Sequence, residues 1–403
     1  MQWQPIPKDA ALKSLQLPAI GSKLSPEACK DLALILAHRG IGRVAPNPLV
    51  GAVLVDAAHH FIGAGAHEEI GQAHAEINAM RHAEQEQQGG RIKGGILYVT
   101  LEPCAHSNRT PACALTLTAT GLSKVVYGLV DPNPKVRGRG AQMLQQAGIS
   151  AELDEGWSPA CAELAEIFLC NIQHRSPFVG LKVALSLDGL IALPGAQRAW
   201  ITGPRARAYG HFLRVYYDAL IIGRGTLLAD DPCLDARDSL WQGRAPRRVV
   251  LDPDASGLLA QPPQNWRLLN HDPTGVIWLT GDKLSRAAEL QVQRLVATGA
   301  TWRALPRDIH GTFTPSDILK ALWQLNVTSV LLEGGAGVYR PFLRFGAVHR
   351  LHAFQAAKIL GANDGLRFAA GAGEVRPSGP VRITPLGEDW LLEMPLAHQE
   401  SSP

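Results

Sequence analysis

The sequence predicts an α/β protein of two domains, each built from alternating strands and helices. From about Ser25 to His174, apolar runs of strand length alternate with segments of helical periodicity, which is typical of a layered α/β fold. A linker, Arg175-Ser176-Pro177, follows, and the alternation begins again with the apolar run Phe178–Leu185. The chain contains no G-x-G-x-x-G run, so we do not expect a Rossmann dinucleotide domain in either half.

Length and composition limit the domain count and the broad class. The chain has 403 residues, of which 46% are hydrophobic and 19% are charged, as in an ordinary globular protein. We expect an N-terminal extension at residues 1–24, a first domain at 25–174 and a second domain at 175–403. The formal net charge of +3 is too small to indicate binding to nucleic acid or to a membrane.

The six cysteines are scattered along the chain and do not form the framework of a disulfide-rich secreted protein. The sequence also has no secretory apolar segment and no apolar run long enough to span a bilayer. We therefore expect a cytoplasmic protein without a signal peptide or a membrane span.

The most specific chemical motif lies between Gly71 and Cys113. His74, Cys104 and Cys113 provide one imidazole and two thiols, a three-ligand zinc set that leaves the fourth position open. Glu76 is close enough in sequence to transfer protons at that position. His-x-Glu followed by Pro-Cys and a second Cys is the pattern of the zinc nucleobase deaminases.

Local sequence signals support this interpretation. Cys113 is predicted in the first turn of a helix, with Thr110 as N-cap and Pro111 at the first helical position, where the helix dipole favours thiolate. His74 and Glu76 are two residues apart and cannot share a helix face, so His74 is expected at the very start of its helix. The alternatives are a closed structural zinc site or buried cysteines unrelated to metal, and the combined motif favours the open site.

Two glycine-containing turns in the second half are weaker candidates for an anion site. Residues 333–337 (EGGAG) follow a predicted strand, Ser329–Leu332, and precede a helix, and residues 223–226 (GRGT) also follow a strand. Glycines let a backbone approach phosphate, and a helix N-terminus attracts it, but such a sequence is more often only a tight turn. The residues alone predict an α/β domain with one candidate anion site.

From about Ser25 to about residue 370, the chain resembles the bifunctional deaminase–reductase of riboflavin biosynthesis. The resemblance rests in the first domain on NPLVGAVLV, HAEINAM, VTLEPCAHSNRTPAC, the DPNP turn and GRG at 138–140. In the second domain it rests on SLDG, WIT, TLLADDP and EGG. The gap of nine positions from Cys104 to Cys113 is typical of this family, whereas cytidine and tRNA-adenosine deaminases have a shorter one.

This resemblance implies a cytidine-deaminase-like three-layer α/β/α domain, followed by a dihydrofolate-reductase-like α/β domain. It implies that the 2-amino group of 2,5-diamino-6-ribosylamino-pyrimidinone 5′-phosphate is hydrolysed, and that NADPH then reduces the ribosyl group to ribityl. The implied cofactors are Zn²⁺ and NADPH, and the implied partners are the phosphorylated ribosylaminopyrimidine and further copies of the chain, in a dimer or tetramer. No nucleic acid or membrane partner is implied.

The resemblance also assigns roles to individual residues. It makes Glu76 the proton shuttle and gives the zinc ligands as His74, Cys104 and Cys113. In the deaminase domain the substrate contacts fall on Asn47, His67, His106 and Arg109. In the reductase domain the positions near substrate are Lys182, Arg214, Leu234, Arg237 and Glu333. The positions near NADPH are Ala184, Trp200, Thr226, Asp230 and Gly335.

The second domain departs from the family pattern at several positions. Arg198 stands where the family usually has Ser, and Asp235 stands where it usually has Thr. Late in the chain, His349-Arg350 replaces an acidic pair and Ala357 replaces Pro. Asp235 adds negative charge near the expected phosphate pocket, which weakens binding unless Arg198 offsets it. A working deaminase with an inactive reductase is therefore the first alternative.

Two further alternatives belong to other classes. A non-catalytic scaffold stabilised by zinc would need a fourth protein ligand, for which His106 is the candidate. A free-base or nucleic-acid deaminase would use the same metal set. The low net charge and the lack of a basic, aromatic-rich stretch do not favour nucleic acid.

Overall fold

The computed structural model describes residues 16–105, 112–133, 137–193, 200–236, 244–270 and 272–397. The chain divides into two compact units, with the boundary between Arg175 and Ser176. Each unit has its own sheet covered by helices, so both halves have the expected α/β class. Within the described ranges, no helix combines the length and the apolar character that crossing a bilayer requires.

The first unit contains a five-stranded sheet. Its helices are α1 (Pro26–Ala37), α2 (Ala75–Gln85), α3 (Cys113–Thr118), α4 (Arg139–Gln146), α5 (Ser158–Leu164) and α6 (Glu166–His174). Its strands are β1 (Gly51–Val55), β2 (Phe61–Ala66), β3 (Ile96–Val99), β4 (Lys124–Tyr127) and β5 (Ser150–Leu153). The order is β2-β1-β3-β4-β5; β1 is antiparallel to both neighbours, whereas β3, β4 and β5 are parallel.

Alternate residues of β1 bury opposite faces of this sheet. Ala52 and Leu54 pack into the cluster that contains residues of α2, α3 and α4. Val53 and Val55 pack into the cluster that contains residues of α1 and α5. Because both faces are covered, the strand is apolar throughout. The unit is therefore the three-layer α/β/α arrangement that the resemblance implied.

Two glycines of β2 determine how α2 packs on the sheet. A Cβ atom on Gly63 would lie 2.4 Å from the carbonyl oxygen of Ala79, and one on Gly65 would lie 2.4 Å from the amide nitrogen of Ala79. The backbone of α2 therefore lies directly on β2. This close packing fixes the N-terminal end of α2, where His74 and Glu76 are found.

The second unit contains a nine-stranded sheet and a two-stranded ribbon. Its helices are α7 (Pro204–Tyr216), α8 (Arg224–Asp230), α9 (Ser256–Ala260), α10 (Arg286–Ala297), α11 (Pro315–Gln324) and α12 (Ala336–Arg344). Its first strands are β6 (Phe178–Leu185), β7 (Leu190–Ala192), β8 (Ala219–Gly223), β9 (Arg247–Asp252), β10 (Val276–Gly281) and β11 (Thr301–Leu305). The remaining strands are β12 (Ser329–Leu332), β13 (Arg350–Gln355), β14 (Leu366–Arg367), β15 (Arg382–Leu386) and β16 (Asp389–Pro395).

The large sheet has the order β11-β10-β9-β8-β12-β6-β13-β16-β15. It is parallel from β11 to β13, and β16 and β15 are added in antiparallel pairing. The ribbon pairs β14 with β7. The C-terminal end of β12 therefore lies beside the middle of β6, and both places carry residues singled out by the sequence.

The predicted elements differ from the structure in several places. The helical periodicity of Pro159 to His174 predicts a single helix, but the structure has two helices there, because Ala165 leaves the helical conformation with ψ at 13°. Helix α3 begins at Cys113 with Ala112 as N-cap, which corrects the expected cap; Thr110 and Pro111 lie outside the described residues. Helices α9 and α10, strands β7 and β11 and every strand after α12 were not predicted from the sequence.

Candidate functional site

Three side chains in the first unit meet at one point. His74 is the N-cap of α2, Cys113 is the first residue of α3, and Cys104 follows β3. The His74 Nδ1 atom lies 3.6 Å from the Cys104 sulfur and 3.3 Å from the Cys113 sulfur. Tetrahedral zinc, with bonds of about 2.3 Å to sulfur and about 2.0 Å to nitrogen, separates such atoms by about 3.5 Å. The donor set therefore fits zinc in both chemistry and spacing.

The start of α3 holds the two sulfurs together. The Cys113 backbone N–H donates to the Cys104 sulfur at 3.3 Å, and the Ala114 N–H donates to the Cys104 carbonyl at 3.1 Å. Hydrogen bonds from the Cys113 thiol and from His74 lower the pKa of Cys104. This shift favours the thiolate of Cys104, which is the form that binds metal.

Glu76 lies beside this donor set in the first turn of α2. It is only 3% exposed, and its Oε2 atom has no hydrogen-bond partner among the described residues. Burial, and then the negative charge of Cys104, raise the pKa of the Glu76 carboxyl. A carboxyl group that takes up a proton readily and has an unpaired oxygen is suited to general acid–base catalysis.

His74, Glu76 and Cys104 line a cavity of about 460 Å³. Its walls are formed by Pro46, Asn47, Pro48, Val50, His67, Ile70, Gly71, Gln72, His74, Glu76, Leu101, Glu102, Cys104, Asp131, Asn133 and Phe168. Asn47 and His67 are thus brought together with the donor set, as the sequence implied. His106 and Arg109 lie outside the described residues.

Asn47 and His67 are joined within the cavity wall. The Asn47 Nδ2 atom lies 3.1 Å from His67 Nε2, and His67 Nδ1 lies 3.3 Å from the Ala73 carbonyl. Burial lowers the pKa of His67, so the ring is neutral. The neutral ring donates from Nδ1 to Ala73 and accepts the Asn47 amide at Nε2. The carbonyl oxygen of Asn47 is then left for a ligand.

Several lining residues were not predicted as site residues, among them Gln72, Asp131, Asn133 and Phe168. Asp131 and Asn133 belong to the DPNP motif, which the sequence indicated only as a turn. Their polar side chains at a turn were the signal that could have identified them. Phe168 lies on α6, far along the chain from the metal motif, and has no local signal of this kind.

A second polar cluster lies in the second unit, where the end of β12 pairs with the middle of β6. Leu332 of β12 pairs with Leu181 of β6, so Glu333 and Lys182 follow paired positions. Arg214 donates to Glu333 through Nε to Oε1 at 2.7 Å and through Nη2 to Oε2 at 2.6 Å. Burial lowers the pKa of Lys182, although the nearby Glu333 carboxylate opposes this shift. Three of the residues assigned near substrate are therefore neighbours.

The segment before Arg237 also meets this cluster. Arg214 Nη1 donates to the Asp235 carbonyl at 2.8 Å. The preceding Leu234 is buried and has a positive φ of 51°, an uncommon conformation for a leucine. Arg237 and Arg198 lie outside the described residues.

The positions assigned to NADPH are only partly brought together. A Cβ atom on Gly334 or Gly335 would lie 2.8 or 3.2 Å from the Thr226 hydroxyl oxygen, so Thr226 touches the turn before α12. Gly335, the N-cap of α12, has a φ of 72° that favours glycine. The other three positions lie on separate elements: Ala184 in β6, Asp230 at the end of α8 and Trp200 before α7.

The remaining departures from the family pattern lie just before β13, at its start and after its end. The His349 Nδ1 atom accepts the Val179 N–H at 3.0 Å, and the His349 ring stacks on Phe178. Arg350 is buried at the start of β13, and Ala357 is exposed after its end. His349 and Arg350 therefore pack within the sheet region.

Two family models match the chain. The cytidine and deoxycytidylate deaminase zinc-binding region matches residues 25–129. The RibD C-terminal domain matches residues 177–392, more than half of the chain. The first match contains all three metal-donor residues, and the second contains the Lys182–Arg214–Glu333 cluster.

Curated relatives match over most of their length. The riboflavin biosynthesis protein RibD of Synechocystis is 36% identical over 371 residues, which cover 89% of this chain and 93% of that protein. The RibD of Actinobacillus pleuropneumoniae is 35% identical over 373 residues, covering 90% of this chain and 93% of that protein.

Solved structures agree with these matches. Acinetobacter baumannii RibD superposes with a TM-score of 0.77 at 32% identity, covering 92% of this chain and 98% of that chain. A Thermotoga maritima protein described as a diaminohydroxyphosphoribosylaminopyrimidine deaminase/5-amino-6-(5-phosphoribosylamino)uracil reductase gives a TM-score of 0.76 at 32% identity, with the same coverage.

Proposed function

The chain belongs to the RibD family of riboflavin biosynthesis proteins, and we propose how its residues perform the two reactions of that family. The protein is a bifunctional enzyme, a zinc-dependent pyrimidine deaminase and an NADPH-dependent reductase. One observation supports the assignment of these residues to the deaminase reaction. Three metal-donor atoms of His74, Cys104 and Cys113 lie within 4.8 Å of one another, beside the buried Glu76.

The first reaction removes the 2-amino group of 2,5-diamino-6-(5-phosphoribosylamino)pyrimidin-4(3H)-one as ammonia. We propose that His74, Cys104 and Cys113 hold the zinc ion. When bound, zinc supplies the Lewis acidity that makes a water molecule nucleophilic near neutral pH. Glu76 takes a proton from the attacking water and returns it to the departing amino group. The raised pKa of its carboxyl supports this double role.

The cavity wall orients the pyrimidine. We propose that Asn47 contacts the substrate through its carbonyl oxygen, because its amide nitrogen is engaged by His67. His67 contacts the substrate or holds Asn47 in place from the same wall. By resemblance, His106 and Arg109 also contact substrate, with Arg109 near the phosphate.

The second reaction transfers hydride from NADPH to C1 of the opened sugar, and a proton must also be supplied. We propose that Lys182 and Glu333 lie near the substrate and that the lowered pKa of Lys182 lets it release a proton more readily. By resemblance, the substrate contacts also include Arg214, Leu234 and Arg237. The cofactor contacts are Ala184, Trp200, Thr226, Asp230 and Gly335. The contact of Thr226 with the turn at Gly335 supports a shared binding surface for these two.

We propose domain limits of 25–174 for the deaminase and 175–403 for the reductase, after an extension at residues 1–24. We also propose a homo-oligomer, supported by the exposed Val381 and Ile383 at the edge strand β15. A cytoplasmic location is supported by six cysteines that form no disulfide.

A three-part measurement on one sample tests the proposal. Zinc content, ammonia release from the substrate and NADPH oxidation on the deaminated product are measured together. We expect stoichiometric zinc and both activities. Ammonia without NADPH oxidation would indicate an inactive reductase domain, and zinc with neither activity would indicate a scaffold. Ammonia release from the free base alone would contradict the substrate assignment.

A further inference from the structure

Glu102 places a buried carboxylate next to the metal site, two residues before Cys104. Only 2% of the residue is exposed, and each of its oxygens accepts two backbone hydrogen bonds. Oε1 accepts the N–H groups of Gly140 at 3.0 Å and Ala141 at 3.3 Å. Oε2 accepts those of Gly138 at 3.0 Å and Asp131 at 3.2 Å. One side chain thus gathers four backbone donors from a distant part of the sequence.

One of the four N–H groups held in this way, that of Asp131, belongs to the cavity wall. Asp131 donates its N–H to Glu102, and its own Oδ1 accepts the Asn133 N–H at 2.8 Å. Both residues line the cavity together with Glu102. The position of this wall is therefore set by a carboxylate that lies two residues before the metal-donor residue Cys104.

The other groups belong to the start of α4. Gly138 is the N-cap, with a φ of 74°, and no side chain at the cap satisfies the first turn. The N–H groups of a first helical turn have no partner within the helix. Glu102 provides that partner for Gly140 and Ala141, and so caps α4 from outside the helix.

The start of α4 packs closely against the backbone just before Cys104. A Cβ atom on Gly140 would lie 1.9 Å from the carbonyl oxygen of Pro103, the residue before Cys104. Only glycine allows this approach. The GRG and DPNP motifs therefore direct backbone N–H groups to Glu102, and Gly140, which has no Cβ atom, lies against Pro103. Because Glu102 occupies these N–H groups, they do not serve as a phosphate site.

We propose that Glu102 is a positioning residue of the deaminase reaction. Its carboxylate fixes the position of the cavity wall at Asp131 and Asn133 relative to the Cys104 loop. Glu102 acts through these groups and does not itself transfer a proton. The inference rests on the proposed deaminase function of the first unit.

The test compares Glu102→Gln with Asp56→Asn in the full-length zinc enzyme. The amide of Gln turns an NH₂ group toward backbone N–H donors, so about half of the acceptor capacity is lost. Asp56 is a matched control, because its carboxylate accepts the N–H groups of Ala58 at 2.9 Å and His60 at 2.8 Å, and it does not line the cavity.

For Glu102→Gln we expect faster hydrogen exchange at the Gly140 and Ala141 amides and an unchanged zinc content. We expect KM for the deaminase substrate to rise by about tenfold or more, with a smaller change in kcat, because charge-assisted bonds that order the wall are lost. The reductase activity should stay at the wild-type value. For Asp56→Asn we expect wild-type KM and kcat.

Three outcomes would overturn the proposal. Faster exchange at Gly140 with wild-type KM and kcat would show that the wall does not depend on Glu102. Loss of zinc and activity in proportion to the unfolded fraction would show a structural role only. An equal rise in KM for Asp56→Asn would show a general effect of instability.

If Glu102→Gln does not fold, Gly140→Ala provides a second variant, since it keeps the carboxylate but forces α4 away from Pro103. It should raise KM in the same way, and a wild-type KM would contradict the proposal. A wild-type enzyme that releases no ammonia would refute the proposed function instead, whereas the exchange measurement would still report on the contacts of Glu102.

Discussion

Arg214 and Glu333 form a two-point ion pair, in which the guanidinium donates through Nε and Nη2 to the two carboxylate oxygens. The Arg214 side chain is 18% exposed and the Glu333 side chain is 5% exposed. A third donor, Nη1, is taken by the Asp235 carbonyl. Arg214 is therefore not a solvated arginine, and only its remaining N–H groups can meet a substrate phosphate.

Removal of one partner should destabilise the second unit. Arg214→Met leaves the Glu333 carboxylate buried without its partner, which should cost about 3–5 kcal/mol in the free energy of unfolding. The double variant Arg214→Met/Glu333→Gln should recover part of this loss, because the buried carboxylate that lost its guanidinium partner is then replaced by a neutral amide. Urea denaturation of the full chain measures both values. The control is Arg376→Met, which breaks the exposed pair with Glu374 and should change stability by no more than about 0.5 kcal/mol. Equal effects of the two single variants would contradict the expected importance of burial.

Glu76→Gln should separate the two activities. The amide keeps the size of the side chain but cannot shuttle a proton, so kcat for ammonia release should fall by about 10²–10⁴-fold. Zinc content and NADPH oxidation on the deaminated product should not change. Glu84→Gln, at an exposed position on the same helix, is the control and should have wild-type activity. Retained ammonia release in Glu76→Gln would remove this residue from the mechanism.

Gly65→Ala should weaken zinc binding by displacing α2, which carries His74 at its N-terminus. The new Cβ atom would lie 2.4 Å from the Ala79 nitrogen and 2.6 Å from the Ala75 carbonyl, so α2 must shift away from β2. Overpacking of this kind costs about 1–3 kcal/mol. Because His74 is the N-cap of α2, the zinc content after dialysis against a chelator should also fall. Gly90→Ala has open space around its Cβ position and serves as the control. Wild-type zinc retention in Gly65→Ala would show that the helix can adjust without moving His74.

The elements that sequence reasoning predicted well are those with strong local signals. Phe178–Leu185, Ala219–Gly223 and Ser329–Leu332 are buried apolar runs bounded by turn residues, and their limits match β6, β8 and β12. His74 is the N-cap of α2, as its two-residue spacing from Glu76 predicted. The antiparallel strands β15 and β16 were missed. They are stabilised by pairing of β16 with β13 and of β15 with β16. No local sequence pattern indicates such pairing.

The site shows the same limit. The donor set could be predicted because ligand chemistry and spacing are local properties of the sequence. Glu102 could not be assigned a role from sequence, because its importance lies in N–H groups 29 to 39 residues away. The resemblance placed Arg214 near substrate, whereas its ion pair with Glu333 depends on how α7 lies relative to the turn after β12, which is a tertiary contact.

A buried histidine in the second unit links stability to pH. His352 lies in β13 with a side chain that is 0% exposed; its Nε2 is 2.9 Å from the Tyr217 hydroxyl, and its Nδ1 is 3.3 Å from Glu393 Oε1. Burial lowers the pKa of His352, more than the nearby Glu393 raises it. Burial alone would raise the pKa of Glu393, but His352 and nearby arginines lower it, so this carboxylate stays ionised near neutral pH.

The sign of the pH effect follows from proton uptake. The unfolded chain protonates this histidine at a pKa of about 6.5, whereas the folded protein does so only at a lower pH. Below about pH 6.5 the unfolded state therefore binds more protons, and the free energy of unfolding falls as the pH drops.

His352→Gln removes this titration while its amide can still bond the Tyr217 hydroxyl. The slope of unfolding free energy against pH should then decrease by up to about 1.4 kcal/mol per pH unit, measured by urea denaturation between about pH 7.5 and 5.5. His310→Gln, at an exposed position in the same unit, should keep the wild-type slope. An unchanged slope in His352→Gln would mean that the buried ring is not responsible for the acid sensitivity of this unit.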